Sequence, residues 1–247
     1  MNGATPAPES DWLEWLAAVS APSFGLRHWL PEGSRAVVVA PHPDDEVIGC
    51  GALLAAHARR GGRTLVLAVT DGEASHPHSS HWTAATLAAE RCRERLQGLS
   101  RLGLPGDVVQ RLGLPDGEVG PHAARLQSML SQHLRPGDVL LSTWRHDGHP
   151  DHEATGAAVA AAAADCGLRH IETPVWMWHW AQPGDDRVPW RQLAGFAADG
   201  VDVQAKQQAL AAHRSQCQAD ANSVPPVLDA AMVQRAGRKV EWLIESA

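Results

Sequence analysis

The 247-residue sequence contains no tyrosine, two phenylalanines and four cysteines. Cys50, Cys92, Cys166 and Cys217 lie far apart and none belongs to a C-x-x-C pair. That spacing argues against a structural zinc ribbon and a disulfide scaffold, and leaves four small buried thiols as the expectation. No apolar run approaches the ~20 residues that a membrane-spanning helix needs. Basic residues are scattered and the formal net charge is -7, which argues against nucleic acid as the main partner. Residues 1–11 lack a positive region followed by an apolar stretch. No signal peptide is therefore expected, and a cytoplasmic location fits best. There is no G-K-[ST] phosphate loop and no G-x-S-x-G elbow. Gly49-Cys50-Gly51 lacks the third glycine of a dinucleotide fingerprint and has carboxylates where a pyrophosphate would sit.

What is present is a globular chain, 44% hydrophobic, of a length that suits one large α/β domain over residues 1–247, with residues 1–10 as a loose arm. Trp12, Leu13, Trp15 and Leu16 recur at helical spacing, with Asp11 as a candidate N-cap, and predict a short helix packed on the domain. Buried strands are predicted at 36–40, 64–70, 108–112 and 139–142, and a longer one at 171–180. Helices are predicted at 46–60, 82–102, 122–134, 153–164, 204–213 and 231–244. The alternation implies a Rossmann-like, mostly parallel sheet with helices on both faces. In such sheets the ligand site lies outside the C-terminal ends of the strands. His42-Pro43-Asp44-Asp45-Glu46, Asp71-Gly72-Glu73, Asp116 and His149-Pro150-Asp151-His152 all fall on that edge.

The two histidine clusters point to a catalytic zinc, which takes three ligands from His, Asp or Glu and keeps a position for water. His42 and Asp45 stand three apart at a strand-to-helix turn, and His149 and His152 repeat the offset. Two strand ends can thus supply a His/Asp/His site, which would also accept iron or cobalt. Asp44 is a spare carboxylate able to take a proton from an activated water. The plainer alternatives are an acidic first turn complementing a helix dipole and two loop histidines. Their coincidence at matching strand ends favours the site.

With these residues in view, the sequence resembles the PIG-L / LmbE-like family of zinc-dependent N-deacetylases. The resemblance rests on Ala40-Pro-His-Pro-Asp-Asp-Glu-Val-Ile-Gly-Cys-Gly51 and Asp147-Gly-His-Pro-Asp-His-Glu153. Weaker echoes are Thr70-Asp-Gly-Glu73, Arg91-x-x-Glu94 and Lys206-x-x-Ala-Leu-x-x-His-x-Ser-Gln216. It implies His42, Asp45 and His152 as zinc ligands and Asp44 as general base and later acid. It implies His149 as a cationic stabiliser of the oxyanion, with Asp151 orienting it. Arg91 and Asp116 match positions that contact substrate hydroxyls in sugar-processing members, and His213 and Gln216 would lie near the cleft. Some members carry a tyrosine two residues before the histidine matching His149. Here that position is Asp147, which either holds His149 in its charged form or faces away.

The implied partner is a small N-acetylated, sugar-bearing molecule; the oligomeric state, a homo-oligomer included, is open. Cleavage of another amide, or zinc-dependent carbohydrate binding without turnover, are the alternatives. Trp176, Trp178 and Trp180 would share one face of the 171–180 strand, as a sugar platform or as core. His76, His78 and His81 form a His-rich loop, read as a lid over the cleft in preference to a second metal site.

Overall fold

The computed structural model describes residues 6–19, 21–219 and 225–245. In chain order the elements are α1 (Glu9–Ala18), β1 (Ser23–Phe24), α2 (Leu26–Trp29), β2 (Arg35–Ala40), α3 (Asp45–Arg59), β3 (Arg63–Ala68), α4 (Ala84–Arg101), β4 (Val109–Arg111), α5 (Ala123–Ser131), β5 (Asp138–Thr143), α6 (Pro150–Cys166), β6 (Arg169–Thr173), α7 (Met177–Trp180), β7 (Leu193–Ala197), α8 (Gly200–Leu210), α9 (Arg214–Cys217), α10 (Ala230–Ala236) and β8 (Val240–Glu245). The strands form one sheet in the order β1-β7-β8-β6-β5-β2-β3-β4. All pairings are parallel except those of β8, which runs antiparallel to both β6 and β7.

The β-branched run of β2 is buried on both faces, as a central parallel strand requires. Its side chains alternate between two cores. Ala36 and Val38 join α3, α4, α8 and α10 on one face; Val37 and Val39 join α5 and α6 on the other. Helix boundaries follow local chemistry. Thr83 and Thr86 form a reciprocal capping box at the start of α4. Gly167, at φ 63°, closes α6 in the left-handed conformation. The helix predicted from Trp12 begins at Glu9 with Pro8 as N-cap, so Asp11 lies inside it. Trp12 is buried edge-on against Trp178 at 5.1 Å in a third, tryptophan-rich cluster.

Several expectations fail for identifiable reasons. The strand predicted over 171–180 ends at Thr173, because Pro174 cannot continue the ladder, and α7 follows. The helix predicted over 231–244 is two elements: α10 stops at Gly237, and β8 begins at Val240. Its strand signal is masked because the buried position at 241 is a glutamate. Strands β1 and β7 went unpredicted, the first being two residues long and the second interrupted by Gly195. The part of the expected arm within the described residues is docked: Ala7 is buried, its carbonyl accepts from Arg235, and Glu9 pairs with Arg238. Cys50 is the one cysteine that is buried; Cys166 is exposed, and all four thiols are free. No helix among the described residues is long and apolar enough to cross a membrane.

Candidate active site

The chain leaves β2 toward β3 and β4 on one side, and β5 and β6 build the other, so the strand order reverses between β2 and β5. A crevice opens at such a switch point, beyond the carboxyl ends of the strands. β2 delivers His42, Asp44 and Asp45 there, and β5 delivers Asp147, His149 and His152. Donor atoms of three residues meet. His42 Nδ1 lies 3.2 Å from His152 Nε2 and 3.3 Å from Asp45 Oδ2, and His152 Nε2 lies 3.3 Å from Asp45 Oδ1.

The outer nitrogens of both rings are held by carboxylates. His42 Nε2 donates to Asp116 at 3.1 Å and to Asp151 at 3.2 Å. His152 Nδ1 donates to Asp147 at 2.8 Å. Asp151 is itself fixed by the Gly117 and Val119 backbone N–H groups. Asp147 also accepts from the backbone N–H groups of Val175, Trp176 and Met177, which fastens the start of α7 to the site.

These residues fit a divalent metal ion. The ligand atoms of a tetrahedral zinc stand ~3.3 Å apart, given zinc–ligand distances of about 2.0–2.2 Å. Carboxylates that orient the second nitrogen of a ligating histidine are the usual outer shell of such a centre. The surrounding field also favours a cation. Burial opposes charge on His42 and His152, yet Asp116, Asp151 and Asp45 hold His42 well above its ordinary pKa. Asp45 and Asp147 raise His152 to about 9. Burial likewise opposes charge on Asp45, but His152 and His42 hold it well below the carboxylate range. The metal-type groupings found among the described residues are His42 with His149 and His152, and His42 with Asp116 and Asp151; Asp45 reaches the first through its contacts with His42 and His152.

Asp44 is placed differently. It faces the same cleft, and its Oδ2 accepts from Arg91 Nη2 at 3.2 Å. Burial lifts its carboxyl to about 7 against the pull of Arg91, with Asp45 adding to the rise. Arg91 is buried and donates also to the Gly72 and Pro43 carbonyls, so it braces Asp44 and the turn behind it. Asp116 lines the cleft but spends its two oxygens on His42 and the Ala74 N–H. Both residues expected to contact substrate line the cleft, and both also bond the protein's own groups.

Two expectations about His149 are corrected. Burial, with His152 and His42 nearby, pushes its pKa down to about 4, so it is neutral near pH 7 and not a cation. The Asp151 side chain serves His42; its backbone N–H donates to His149 Nδ1 at 3.2 Å, which leaves Nε2 to carry the ring proton. Of the two alternatives for Asp147, the second is the one found: it faces away from His149 and serves His152.

The cleft has a volume of about 320 Å³. Opposite the polar groups, Ile48, Val175, Trp176, Leu228 and Met232 form an apolar wall. The tryptophans expected to share a face part ways. Trp176 stacks against His149 with ring centroids 6.0 Å apart, Trp178 is core, and Trp180 donates to the Asp147 carbonyl. Leu228 and Met232 carried no sequence signal, since they reach the cleft from a distant segment. The His-rich loop holds no metal-type grouping among the described residues; His81 packs against Trp82.

Gln216 lines the cleft, whereas His213 is fully buried beside Gly98, with neither ring nitrogen hydrogen-bonded among the described residues. Burial, aided by Arg91 and Arg95, drives its pKa down to about 3. The unfolded chain therefore takes up this proton first as pH falls. Stability from the neutral ring is whole above pH ~6.5 and is lost from there down to about 3, at ~1.4 kcal/mol per pH unit. His213→Gln is expected to flatten the decline in urea midpoint between pH 7 and pH 4.5; an unchanged slope would contradict this.

An imidazole–carboxylate cluster at the switch point of a mostly parallel sheet defines an α/β protein with a metal-type site. Residues 37–163, more than half of the chain, match the family described as PIG-L: GlcNAc-PI de-N-acetylase, and the chain belongs to that family. It is 32% identical to the 2'-N-acetylparomamine deacetylase of Streptomyces fradiae over 62% of this chain and 60% of that protein. It is 29% identical to the 1D-myo-inositol 2-acetamido-2-deoxy-alpha-D-glucopyranoside deacetylase of Kineococcus radiotolerans, over 55% of this chain and 47% of that one. The chain thus spans about half to three fifths of the curated relatives it matches. In fold it is similar to the N,N'-diacetylchitobiose deacetylase of Pyrococcus horikoshii, with a TM-score of 0.57 and 20% identity over 87% of this chain and 82% of that one.

Proposed function

We propose that the protein is a metal-dependent N-deacetylase acting on a small molecule that bears an acetamido sugar. The observation that carries this reading is the convergence of His42, Asp45 and His152 on one point, with Asp44 left over beside it. The sugar part draws support from the relatives, whose names give 2'-N-acetylparomamine and an acetamido-glucopyranoside of inositol as substrates. Zinc is the proposed metal. Held by the three donors, it would supply Lewis acidity that polarises an amide carbonyl and acidifies a water.

The remaining work falls to the chain's own groups. Asp44, with a pKa of about 7, is suited to take a proton at one carboxylate oxygen and give it back at neutral pH. It removes a proton from the attacking water and returns it to the nitrogen of the leaving amine. His149, with its proton on Nε2, donates a hydrogen bond to the carbonyl oxygen as negative charge gathers there. A neutral imidazole oriented by a helix N-terminus does this without a cation. Trp176 and Met232 close the apolar side of the cleft and limit water around the amide.

The test is release of acetate and a free amine from N-acetylated aminoglycosides and 2-acetamido sugars by zinc-loaded protein. Zinc bound with no turnover across a broad N-acyl panel would overturn the reading.

A further inference from the structure

We infer that the buried Lys206–Glu241 ion pair is a positioning device, spliced into α3 in place of the helix's own hydrogen bonds, and that it sets the turn carrying Asp44 and Asp45. The inference rests on the proposed metal site. Helix α3 is broken at Cys50, whose φ of -146° and ψ of 24° are not helical. The piece before the break, from Asp45 to Gly49, carries the site; the piece after it is a long core helix.

In an unbroken helix the Ala52 N–H would donate to the Ile48 carbonyl. Here the Ala52 N–H donates to Glu241 Oε1 at 2.7 Å, and the Leu53 N–H to Glu241 Oε2 at 2.8 Å. The Ile48 carbonyl accepts instead from Lys206 Nζ at 2.7 Å, and Lys206 meets Glu241 Oε1 at 2.7 Å. Two helical N–H groups have been diverted to Glu241, and the two ends of one opened bond, Ala52 to Ile48, are joined through an ion pair supplied by α8 and β8. Side chains inserted in this way are a recognised cause of sharp kinks. Two glycines make room: a Cβ at Gly51 would stand 3.0 Å from Lys206 Cγ, and one at Gly49 would run into Thr173.

Lys206 and Glu241 are 3% and 4% exposed, and neither lines the cleft. A buried ion pair is a weak source of stability, since apolar residues of like volume often serve as well or better. Its effect here is geometric. With the break held open, the short piece can direct Asp45 at His42 and His152, and Ile48 into the cleft, independently of the long piece.

The experiment compares zinc affinity, by chelator competition, with thermal unfolding in the full chain. Lys206→Met leaves Glu241 buried and unpaired and is expected to lower the unfolding midpoint. The double variant Lys206→Met/Glu241→Leu frees Ala52 to rejoin Ile48. It is expected to recover most of the midpoint while its zinc Kd stays at least tenfold above wild type and kcat falls with KM within twofold. Gly51→Ala, which crowds Lys206 without removing a charge, is expected to raise the zinc Kd severalfold with little change in midpoint. Wild-type zinc affinity in both the double variant and Gly51→Ala would overturn the inference. If the wild-type protein binds zinc but turns over nothing, the functional reading falls and the affinities still decide the role of the pair. If it binds no zinc, a crystal structure of the double variant decides: a closed helix with Asp45 displaced supports the splice, and an unmoved Asp45 overturns it.

Discussion

Asp44→Asn is expected to lower kcat by about 10²–10⁴-fold, the usual worth of a general acid–base group, while leaving bound zinc in place. Asn keeps the size of the side chain and an oxygen that can accept from Arg91, which reaches Asp44 Oδ2 at 3.2 Å. It also tolerates a positive φ better than most residues. What it loses is the ability to hold a proton between water and amine. The converging donors belong to His42, Asp45 and His152, so metal content measured by elemental analysis should match that of wild type. Wild-type turnover in this variant would show that Asp44 is not the base. A protein that turns over normally and also lacks metal would remove the metal reading as well.

Asp147→Ala is expected to be the most damaging single change near the site. Asp147 is fully buried, and its two oxygens accept from three backbone N–H groups and from His152 Nδ1. Truncation strands three backbone donors, two of them buried, and each buried one costs about 1–3 kcal/mol. It also frees the His152 ring, and losing such an outer carboxylate typically costs about 10–100-fold in metal affinity. Thermal unfolding and chelator competition would both register the change. Asp147→Asn keeps one carbonyl oxygen and is expected to be milder in stability than in zinc affinity. An unfolding midpoint equal to wild type in Asp147→Ala would refute this account of the residue.

Asp147 also shows where the sequence was legible and where it was not. The resemblance locates the position, where a tyrosine is replaced, and leaves open whether Asp147 holds His149 or faces away. The side chain turns to His152 and to α7, an element hidden because Trp176, Trp178 and Trp180 alternate as a strand would. Residues near their strand ends in sequence were readable: His42, Asp45, His149 and His152 all lie where the parallel-sheet argument put them. Groups brought in from far away were not. Met232 reaches the cleft from α10, and Glu241 reaches α3 from a strand that reads as helix, because a charged residue occupies an inward position. Hydrophobic pattern reports burial of apolar groups, and it falls silent where a buried polar group does the positioning.

Among the described residues, Asp44 is the one residue other than glycine with a positive φ, at 129° with ψ -26°. Side chains with a Cβ resist that region, and holding one there typically costs about 1–3 kcal/mol. Its carboxyl is also buried at the floor of the cleft. Glycine would suit the backbone better and bury no charge. Asp44→Gly is therefore expected to relieve that strain, but it leaves the buried Arg91 cation without its carboxylate, so its urea midpoint is expected to stay near that of wild type while it performs no chemistry. Selection for durability alone would have no reason to keep a strained, buried carboxylate here. On the proposed function, an aspartate at this position marks a trade in which backbone strain is kept for the sake of turnover.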